Sequence, residues 1–351
     1  MRADTQGLRW LRTTAYNVLA IGLGIVAGLL VVVYAGGSVE VALSSLFLNP
    51  ITLSGGTQQI FIRFVLFYTM GMGIGLALKA GLWNIGAQGQ YLVGMVMVFV
   101  MYTSMGFLPW PVLYALMIFG AALGGLLWIA VPTVLRVKFG ANEIVVTLLL
   151  NVVAFNFAFY MLTGPLHSPT TGQLFPSTVT LPARFQIPSI VSGVPITYAV
   201  PATVAIGILL YFLVERTPFR LKADTVGESV ETAKYAGISI PRVMTITMLV
   251  AGALAGLSGA TFLMGYRYQL DLGAFSSQIN YGLVAIICAL VGRKHMLGIG
   301  IVSFFIAYMT VGLDSMAIEL NVPTNVVFAM EGIMMVGILL GNYLTERKFV
   351  P

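Results

Sequence analysis

Three polar side chains recur at every fourth residue of an otherwise apolar stretch in this chain of 351 residues. They are Glu143, Thr147 and Asn151, and a spacing of four places them on one face of a helix. Polar groups are costly in apolar surroundings unless they have a partner or face water. The stripe therefore indicates either a hydrogen-bonded contact between helices or one wall of a polar path.

A second polar cluster lies between residues 79 and 91, where amide side chains alternate with glycines. Asn84, Gln88 and Tyr91 have helical spacing and are expected on one helix face. The cluster also holds glycines that permit a sharp backbone break or a close approach of helices, namely Gly81, Gly86 and Gly89. We interpret the cluster as a candidate lining or gate of a path. The alternative is that it joins neighbouring helices.

Catalysis has little support in the sequence, and we predict no catalytic residues. Glu331 is the one acid deep in an apolar run, and an isolated acid there is more often a hydrogen-bonding group than a proton carrier. The chain has no Gly-x-x-x-x-Gly-Lys-[Ser/Thr] phosphate loop and no paired carboxylates at an intelligible spacing. A single cysteine, Cys288, and two distant histidines, His167 and His295, predict neither a disulfide nor a metal site.

Composition fixes the class of fold. Hydrophobic residues make up 58% of the chain and charged residues only 9%, so a soluble domain of this length would lack a polar surface. We predict an all-α polytopic membrane protein, a single transmembrane domain over residues 1–351, because the apolar runs suit a hydrocarbon core of about 30 Å. The first run lacks a signal cleavage site and is predicted to be retained. The ten predicted spans are 16–34, 60–79, 84–105, 111–135, 143–162, 198–214, 243–264, 278–292, 297–313 and 324–344.

The basic residues predict the orientation. With the N-terminus inside, 15 of the 18 lysines and arginines fall on the cytoplasmic side, and only Arg63, Arg184 and Arg267 fall outside. This distribution predicts a multi-pass protein of the cytoplasmic (inner) membrane with both termini in the cytoplasm. It also explains the net charge of +6, so no nucleic-acid partner is expected.

The order of the predicted spans suggests an inverted internal repeat. The blocks 60–162 and 243–344 each hold four spans, each has a glycine-interrupted second element, and they enter the membrane from opposite sides. Such repeats place a substrate path at their interface. Between the blocks lies an outer loop, 163–197, whose six prolines predict an extended, stiff cover.

A charge-rich cytoplasmic loop, 215–242, follows the sixth predicted span and holds nine charged residues. Alanine and glutamate occur there at helical spacing, and Gly237 and Pro241 are expected to end the helix. A short surface helix between membrane spans is suited to docking a soluble partner. The alternative is a solvated connection.

Together these segments resemble the permease subunits of ABC importers. The resemblance rests on Gly81-Leu82-Trp83-Asn84-Ile85-Gly86-Ala87-Gln88-Gly89-Gln90, on Asn142-Glu143-Ile144-Val145-Val146-Thr147 with Asn151, and on the loop Ala233 to Ile238. It spans roughly residues 60 to 340 and is nearest to the nucleoside and simple-sugar branch. Branched-chain amino acid permeases are more distant relatives.

The resemblance implies partners for the chain. It implies a separate ATPase subunit that binds ATP and Mg²⁺, a substrate-binding lipoprotein or periplasmic protein outside, and a second, non-identical permease; no cofactor is expected in this chain. Packing by Ala233 and Tyr235 is expected to carry the contact with the ATPase, because exposed ion pairs contribute little. The matching coupling residues are Gly227, Glu228, Glu231, Ala233, Tyr235, Ala236 and Gly237.

The same resemblance favours nucleosides as cargo, since neutral amides and aromatic faces suit a neutral base and its hydroxyls. The candidates for the path or its gate are Trp83, Asn84, Gln88, Gln90, Glu143, Thr147, Asn151, Phe155 and Glu331. A simple-sugar permease is the nearest alternative. A secondary transporter driven by an ion gradient is a further alternative, with Glu143 and Glu331 as its only coupling candidates, but it leaves the loop 233–237 unexplained.

Overall fold

The computed structural model describes residues 38–168, 175–190, 196–275 and 280–320, with isolated residues at 26, 33, 329, 332, 333, 336 and 337. Regular structure in these ranges is helical apart from two isolated β-bridges, Ser177 with Asp271 and Ser189 with Thr197. The all-α prediction is therefore confirmed over the described part of the chain. Contacts divide the chain into two compact units, one of residues 61–304 and one of residues 1–60 with 305–351. This division does not test the predicted single domain.

The larger unit contains most of the helices. They are α3 (Gly56–Lys79, which begins in the smaller unit), α4 (Ala87–Ser104), α5 (Trp110–Phe139), α6 (Glu143–Thr163), α7 (Ala199–Leu210), α8 (Pro218–Glu228), α9 (Val230–Tyr235), α10 (Ile240–Phe262), α11 (Leu272–Phe275), α12 (Tyr281–Val291) and α13 (Met296–Glu319, which ends in the smaller unit). A π-helical turn, Tyr211–Glu215, extends α7, and another, Leu263–Arg267, extends α10.

Glycines let α4, α5 and α10 approach closely at the centre of this unit. A Cβ added to Gly94 would lie 2.3 Å from the carbonyl oxygen of Gly256, and one added to Gly125 would lie 2.2 Å from that of Gly252. No side chain fits at these positions, so the helix backbones themselves are in contact. Small residues serve this purpose in membrane helices, where apolar side chains gain little by leaving lipid.

The described part of the smaller unit holds α1 (Val39–Phe47) and α2 (Asn49–Thr52) beside the end of α13. Glu319 accepts hydrogen bonds from the Ser45 hydroxyl at 2.5 Å and from the Asn49 amide at 2.8 Å. Gly312 lies against the backbone of Leu46, where a Cβ would be 2.4 Å from its carbonyl oxygen. These contacts hold the two short helices against the last turns of α13.

Five helices among the described residues are long and apolar enough to cross a membrane. They are Gly56–Lys79, Trp110–Phe139, Glu143–Thr163, Ile240–Arg267 and Met296–Glu319, and they correspond to five of the predicted spans. A sixth is added if Ala199–Glu215 and Pro218–Glu228, which meet at a bend of 75°, are taken as one broken span. A multi-pass membrane protein is thus supported, while the count of ten and the inverted repeat stay predictions.

The remaining predicted spans have different outcomes. The span at 84–105 corresponds to α4, which is shorter than predicted because the helix begins at Ala87, and the span at 278–292 corresponds to α12, an apolar helix of 11 residues. The spans at 16–34 and 324–344 lie almost wholly outside the described residues. Glu331, in the second of these spans, is not among the described residues.

Residues 175–190, in the loop predicted to lie outside, run beside the end of α10 and the chain that follows it. The amide of Thr178 donates to Leu270 at 2.9 Å, that of Leu181 to Tyr268 at 2.7 Å and that of Ile187 to Met264 at 2.7 Å. Apart from one 3-10 turn, Ala183–Phe185, this part has no helix. It agrees with the extended cover predicted from the prolines.

Candidate functional site

The helical structure is interrupted between α3 and α4, at the glycine-rich segment found in the sequence. Helix α3 ends at Lys79, α4 begins at Ala87, and residues 80–86 form turns and irregular chain. Gly81 has a positive φ of 74°, which favours glycine, and this residue turns the chain out of α3. We call residues 80–86 the break. The prediction that Asn84 shares a helix face with Gln88 and Tyr91 is wrong, because Asn84 lies in the break before the first turn of α4.

Two amide side chains inside this region bind each other. The Asn84 amide donates to the Gln90 oxygen at 2.9 Å, and the Gln90 amide donates back to Asn84 at 2.9 Å. The Asn84 oxygen also accepts from the amide of Gly86 at 3.1 Å. Both side chains are buried. Their polar groups therefore stabilise the turn into α4, as buried polar groups require partners.

The polar stripe of α6 faces this break. Asn151 donates to the carbonyl oxygen of Ile85 at 2.9 Å and accepts from the amide of Gly89 at 2.8 Å. A Cβ added to Gly86 would lie 3.0 Å from the Thr147 Cβ, so this glycine makes room for the stripe. The four-residue repeat thus predicted the shared face correctly, and the face holds backbone groups that the break leaves without helical partners.

Glu143 occupies the first turn of α6. Its carboxylate lies 3.2 Å from the Arg136 guanidinium and 3.5 Å from the amide nitrogen of Trp83. The side chain of Asn142 caps the same helix by accepting from Ile144 at 3.0 Å. Glu143 is therefore a buried, paired carboxylate that also lies beside the break.

Gln88, in the first turn of α4 after the break, makes a contact with α12. The side-chain oxygen of Gln88 accepts a hydrogen bond from the backbone amide of Gly282 at 3.0 Å. A Cβ added to Gly282 would lie 2.7 Å from the backbone nitrogen of Gln88. The first turns of α4 and α12 therefore meet closely at these residues. No local pattern predicts this pairing, because the partner of Gln88 is a backbone amide 194 residues away.

The predicted path residues fall into two groups. Asn84, Gln90, Glu143 and Thr147 are buried, and Gln88 and Asn151 are partly buried with hydrogen bonds as above. Trp83 and Phe155 instead present aromatic surface, with 39% and 44% of each exposed. The structure places these residues in the break, in the first turn of α4 and along α6. Glu331 lies outside the described residues.

The charge-rich loop at residues 215–242 forms two short helices rather than one. Thr217 caps α8 by accepting from Phe219 at 3.3 Å, and Ser229 caps α9 by accepting from Thr232 at 3.2 Å. Gly237, with a φ of 69°, lies just after the end of α9, as predicted from its sequence position. Pro241 lies in the first turn of α10, where its missing amide hydrogen is tolerated.

One face of this helix pair is buried in the chain itself. Ala233 is fully buried and belongs to an apolar cluster of small side chains, with Ala80, Ala223, Val226 and Val243. The expectation that Ala233 packs on a partner protein is corrected accordingly: its methyl group packs on this chain. Sequence alone missed the inward direction because the loop folds back onto the end of α3.

The opposite face is open. Tyr235 is 94% exposed, and Leu221 and Val230 are also largely exposed. Glu228 and Glu231 lie on the exposed surface beside them. An exposed apolar group rimmed by charged residues is typical of a protein–protein contact. We call this surface, of Leu221, Glu228, Val230, Glu231 and Tyr235, the outer face of the loop.

A buried ion pair that was not predicted joins the loop to α3. Lys79 Nζ lies 3.1 Å from Glu215 Oε1, and both side chains are almost entirely buried. Lysine and glutamate are rarely buried unless paired, so each residue alone would have been placed in solvent. Their separation of 136 positions in the chain hides the pair from any local pattern.

Known proteins resemble the chain over most of its length. A family described as the branched-chain amino acid transport system / permease component matches residues 56–339. The glucose ABC transporter permease protein TsgB13 of Haloferax volcanii is 29% identical over 86% of this chain and 81% of its own. Two guanosine ABC transporter permease proteins of Bacillus subtilis are also similar. NupP is 28% identical over 88% of each chain, and NupQ is 23% identical over 65% of this chain and 72% of its own.

No solved structure gives a significant match to the chain. The family match covers all the helices that hold the break, the polar stripe and the two-helix loop, and it agrees with the apolar helices described above. The chain belongs to the family of permease components of branched-chain amino acid transport systems.

Proposed function

We propose that this chain is the membrane-spanning permease subunit of an ATP-driven importer of nucleosides. The observation that carries the proposal is the two-helix loop, which is seated in the chain by one apolar face and exposes another. Leu221, Val230 and Tyr235 would remain in water in an isolated subunit. A soluble partner that covers them gains apolar burial, at roughly 25 cal/mol per Å².

The partner proposed for this outer face is a separate ATPase subunit that binds ATP and Mg²⁺. The similarity to TsgB13 and NupP, both named as ABC transporter permease proteins, supports this assignment. Tyr235 is the central residue of the contact, and Glu228 and Glu231 at the rim contribute mainly to orientation because exposed ion pairs are weak. Gly227, Ala233, Ala236 and Gly237 act by shaping the loop.

Two further partners complete the proposed transporter. A substrate-binding lipoprotein or periplasmic protein delivers cargo from outside, and a second, non-identical permease pairs with this one. The support for the second permease is that two guanosine permease proteins of one organism, NupP and NupQ, are both similar to this chain. We propose the cytoplasmic (inner) membrane as the location of the assembly.

Nucleosides are the proposed cargo because NupP and NupQ are named for guanosine, and because Trp83 in the break and Phe155 on α6 offer exposed aromatic faces. Aromatic faces stack on bases. Sugars are the second candidate, favoured by the similarity to TsgB13, which is named for glucose. Sugars also use aromatic faces and amides, so cargo must be measured.

For the path itself, we propose that exposed and buried residues have different tasks. Trp83 and Phe155 contact the cargo, whereas Asn84, Gln90, Thr147 and Asn151 hold the backbone of the break in position. Glu143 and Gln88 fix its two sides, through Arg136 and Gly282 respectively. A neutral cargo suits this arrangement, since the carboxylate of Glu143 is already paired.

We propose ten membrane spans, two inverted blocks at 60–162 and 243–344, and both termini in the cytoplasm. Single introduced cysteines would test this topology with little background, because the chain has one cysteine, Cys288, and it is buried. Labelling by an impermeant thiol reagent is expected at Phe107→Cys from outside and at Tyr235→Cys only after the membrane is opened. Labelling of both from the same side would overturn the proposed orientation.

Uptake measurements test the function. Cells with and without the gene are given labelled guanosine, other nucleosides and glucose, before and after ATP depletion with the ion gradients held constant. We expect gene-dependent nucleoside uptake that stops when ATP is depleted. Uptake that persists without ATP would reject the ABC mechanism in favour of an ion-coupled transporter, and glucose uptake alone would transfer the proposal to sugars.

A further inference from the structure

The cytoplasmic end of α3 carries a buried cluster of charges whose purpose the docking contact alone does not explain. Lys79 Nζ lies 3.1 Å from Glu215 Oε1, 3.4 Å from Glu215 Oε2 and 3.9 Å from Asp224 Oδ1. The side chains of Lys79 and Glu215 are 6% and 2% exposed. Two charges taken out of water hold each other strongly in place, because separation would leave Lys79 only the more distant Asp224 and Glu215 only the half-exposed Arg220.

Solvent exposure increases outward across this cluster. Arg220 lies 3.4 Å from Glu215 and 3.4 Å from Asp224, and its own side chain is 51% exposed. The outer pairs are screened by water and are expected to contribute little. The strong element is therefore the inner pair, which joins α3 to the end of the π-helical turn that precedes α8.

The backbones touch at the same place. A Cβ added to Gly227 of α8 would lie 2.1 Å from the carbonyl oxygen of Lys79 and 2.9 Å from the nitrogen of Gly81. A side chain at Gly227 would separate α8 from the end of α3. The apolar cluster around Ala80, Ala223 and Ala233 covers the contact on another side. An ion pair, a backbone contact and an apolar cluster thus fix α8 to α3 together.

The break begins directly after this contact. From Gly81 the chain continues to Trp83 and Ile85, whose backbone groups are held by Glu143 and Asn151 of α6. Only residues 80–86 separate the contact at α8 from these hydrogen bonds to α6. A displacement of α8 would therefore be carried through the end of α3 into the break and its contacts with α6.

We propose that Lys79 and Glu215 form a rigid joint that makes the docking loop and the end of α3 move as one body, so that movement of the ATPase is transmitted to the break. Both are positioning residues: they act through the backbone of residues 80–86. The inference rests on the proposed function, since it concerns how the same docking loop acts on the same path.

The joint is tested in the complete transporter, co-produced with its ATPase and substrate-binding protein and reconstituted in liposomes. Nucleoside uptake and ATP hydrolysis are measured in the same preparation. We expect Lys79→Met and Glu215→Gln each to lower the cargo moved per ATP hydrolysed about tenfold, within the range of coupling between distant sites. ATP hydrolysis itself is expected to stay within about twofold of the parent, because the outer face of the loop is unchanged.

Two matched variants separate the joint from a general effect of charge. Arg220→Gln removes both ion pairs of the exposed guanidinium, with Glu215 and with Asp224, and is expected to leave the uptake per ATP unchanged. The double variant Lys79→Met/Glu215→Met replaces the buried pair with apolar groups of similar size, which often restores packing. It is expected to recover much of the coupling lost in Lys79→Met. Equal coupling in Lys79→Met and the parent, or equal loss in Arg220→Gln, would overturn the proposal.

A disulfide gives a second test that does not depend on charge variants folding. In a Cys288→Ala background, Ala80→Cys and Ala223→Cys place two thiols in the buried cluster. If the joint is rigid, oxidation links the two positions and ATP-driven uptake continues. Loss of uptake on oxidation, reversed by a reductant, would show that α3 and α8 must separate and would overturn the joint.

The outcomes distinguish the joint from the proposed function. If uptake by the parent transporter does not depend on ATP, the proposed function fails before the variants are considered. If the parent is driven by ATP but Lys79→Met couples normally, the proposed function stands and only the joint is rejected.

Discussion

The break at residues 80–86 and the two-helix loop at residues 218–235 use polar residues in opposite ways. Around the break, amides and hydroxyls bind one another or the backbone, as in the Asn84–Gln90 pair, and few are left facing outward. In the loop, one apolar face is buried, and the opposite face exposes Leu221, Val230 and Tyr235 with the charged Glu228 and Glu231. Polar residues in the first region fix a backbone, whereas those in the second surround a surface that a partner can cover.

The contrast shows that the type of a residue does not by itself determine whether the residue is exposed or buried. In the sequence, an amide side chain within an apolar helix suggests the lining of a substrate path. In the structure, the amide of Asn151 is instead hydrogen-bonded to the backbone of Ile85 and Gly89. An alanine in a charged loop looks exposed, yet Ala233 is fully buried. The three variants below test the comparison, ordered by their expected cost in the free energy of unfolding.

The largest effect is expected from Ala233→Arg. The methyl group of Ala233 is fully enclosed, so a guanidinium there must be buried without a partner or force the loop away from α3. We expect a loss of about 3–5 kcal/mol in the free energy of unfolding, together with loss of uptake. Thermal unfolding of the purified chain and uptake in cells measure the two effects. The neighbouring exposed position supplies the control, Thr232→Arg, and an equal loss there would contradict the inward direction of Ala233.

An intermediate effect is expected from Asn151→Ala. The change removes both hydrogen bonds to the break and leaves the amide of Gly89 and the carbonyl of Ile85 without their side-chain partner. A cost of about 2 kcal/mol follows from the cost of unsatisfied buried groups, and the thermal unfolding midpoint should fall. The control is Asn156→Ala, because the Asn156 amide bonds only within its own helix, to Val152. Equal midpoints for the two variants would remove Asn151 from its role in holding the break.

The smallest cost in stability is expected from Tyr235→Ala. The side chain is 94% exposed, so its removal should change the free energy of unfolding by less than about 0.5 kcal/mol. Affinity for the ATPase should nevertheless fall about tenfold or more, since large aromatic residues at the centre of a contact dominate binding. Titration of the ATPase against the permease in detergent measures this. Lys234→Ala is the exposed neighbour used for comparison, and an unchanged affinity in Tyr235→Ala would remove Tyr235 from the contact.

Much of the fold could be predicted because its signals are local. Apolar length predicts the spans that became α3, α5, α6, α10 and α13, and a four-residue repeat predicts the shared face of Glu143, Thr147 and Asn151. Gly237 predicts the end of α9, since its φ of 69° favours glycine. In each case a few neighbouring residues carry the physical cause.

The features that could not be predicted depend on distant partners. Lys79 and Glu215 are ordinary surface residues until α3 and the end of α7 bring them within 3.1 Å. Asn84 has helical spacing with Gln88, but the positive φ of Gly81 and the turn at Gly86 delay the start of α4 to Ala87. The inward direction of Ala233 likewise depends on contacts with Ala80, far away in the chain.

Crosslinking from Tyr235 tests most directly the claim that the outer face of the loop docks an ATPase. Tyr235→Cys in a Cys288→Ala background is labelled with a benzophenone maleimide in opened membranes, irradiated, and its adducts are identified by mass spectrometry. We predict an adduct with a phosphate-loop ATPase subunit from Tyr235→Cys and none from Phe107→Cys, an exposed residue predicted to lie on the other side of the membrane. An ATPase adduct from Phe107→Cys, or none from Tyr235→Cys, would contradict the account.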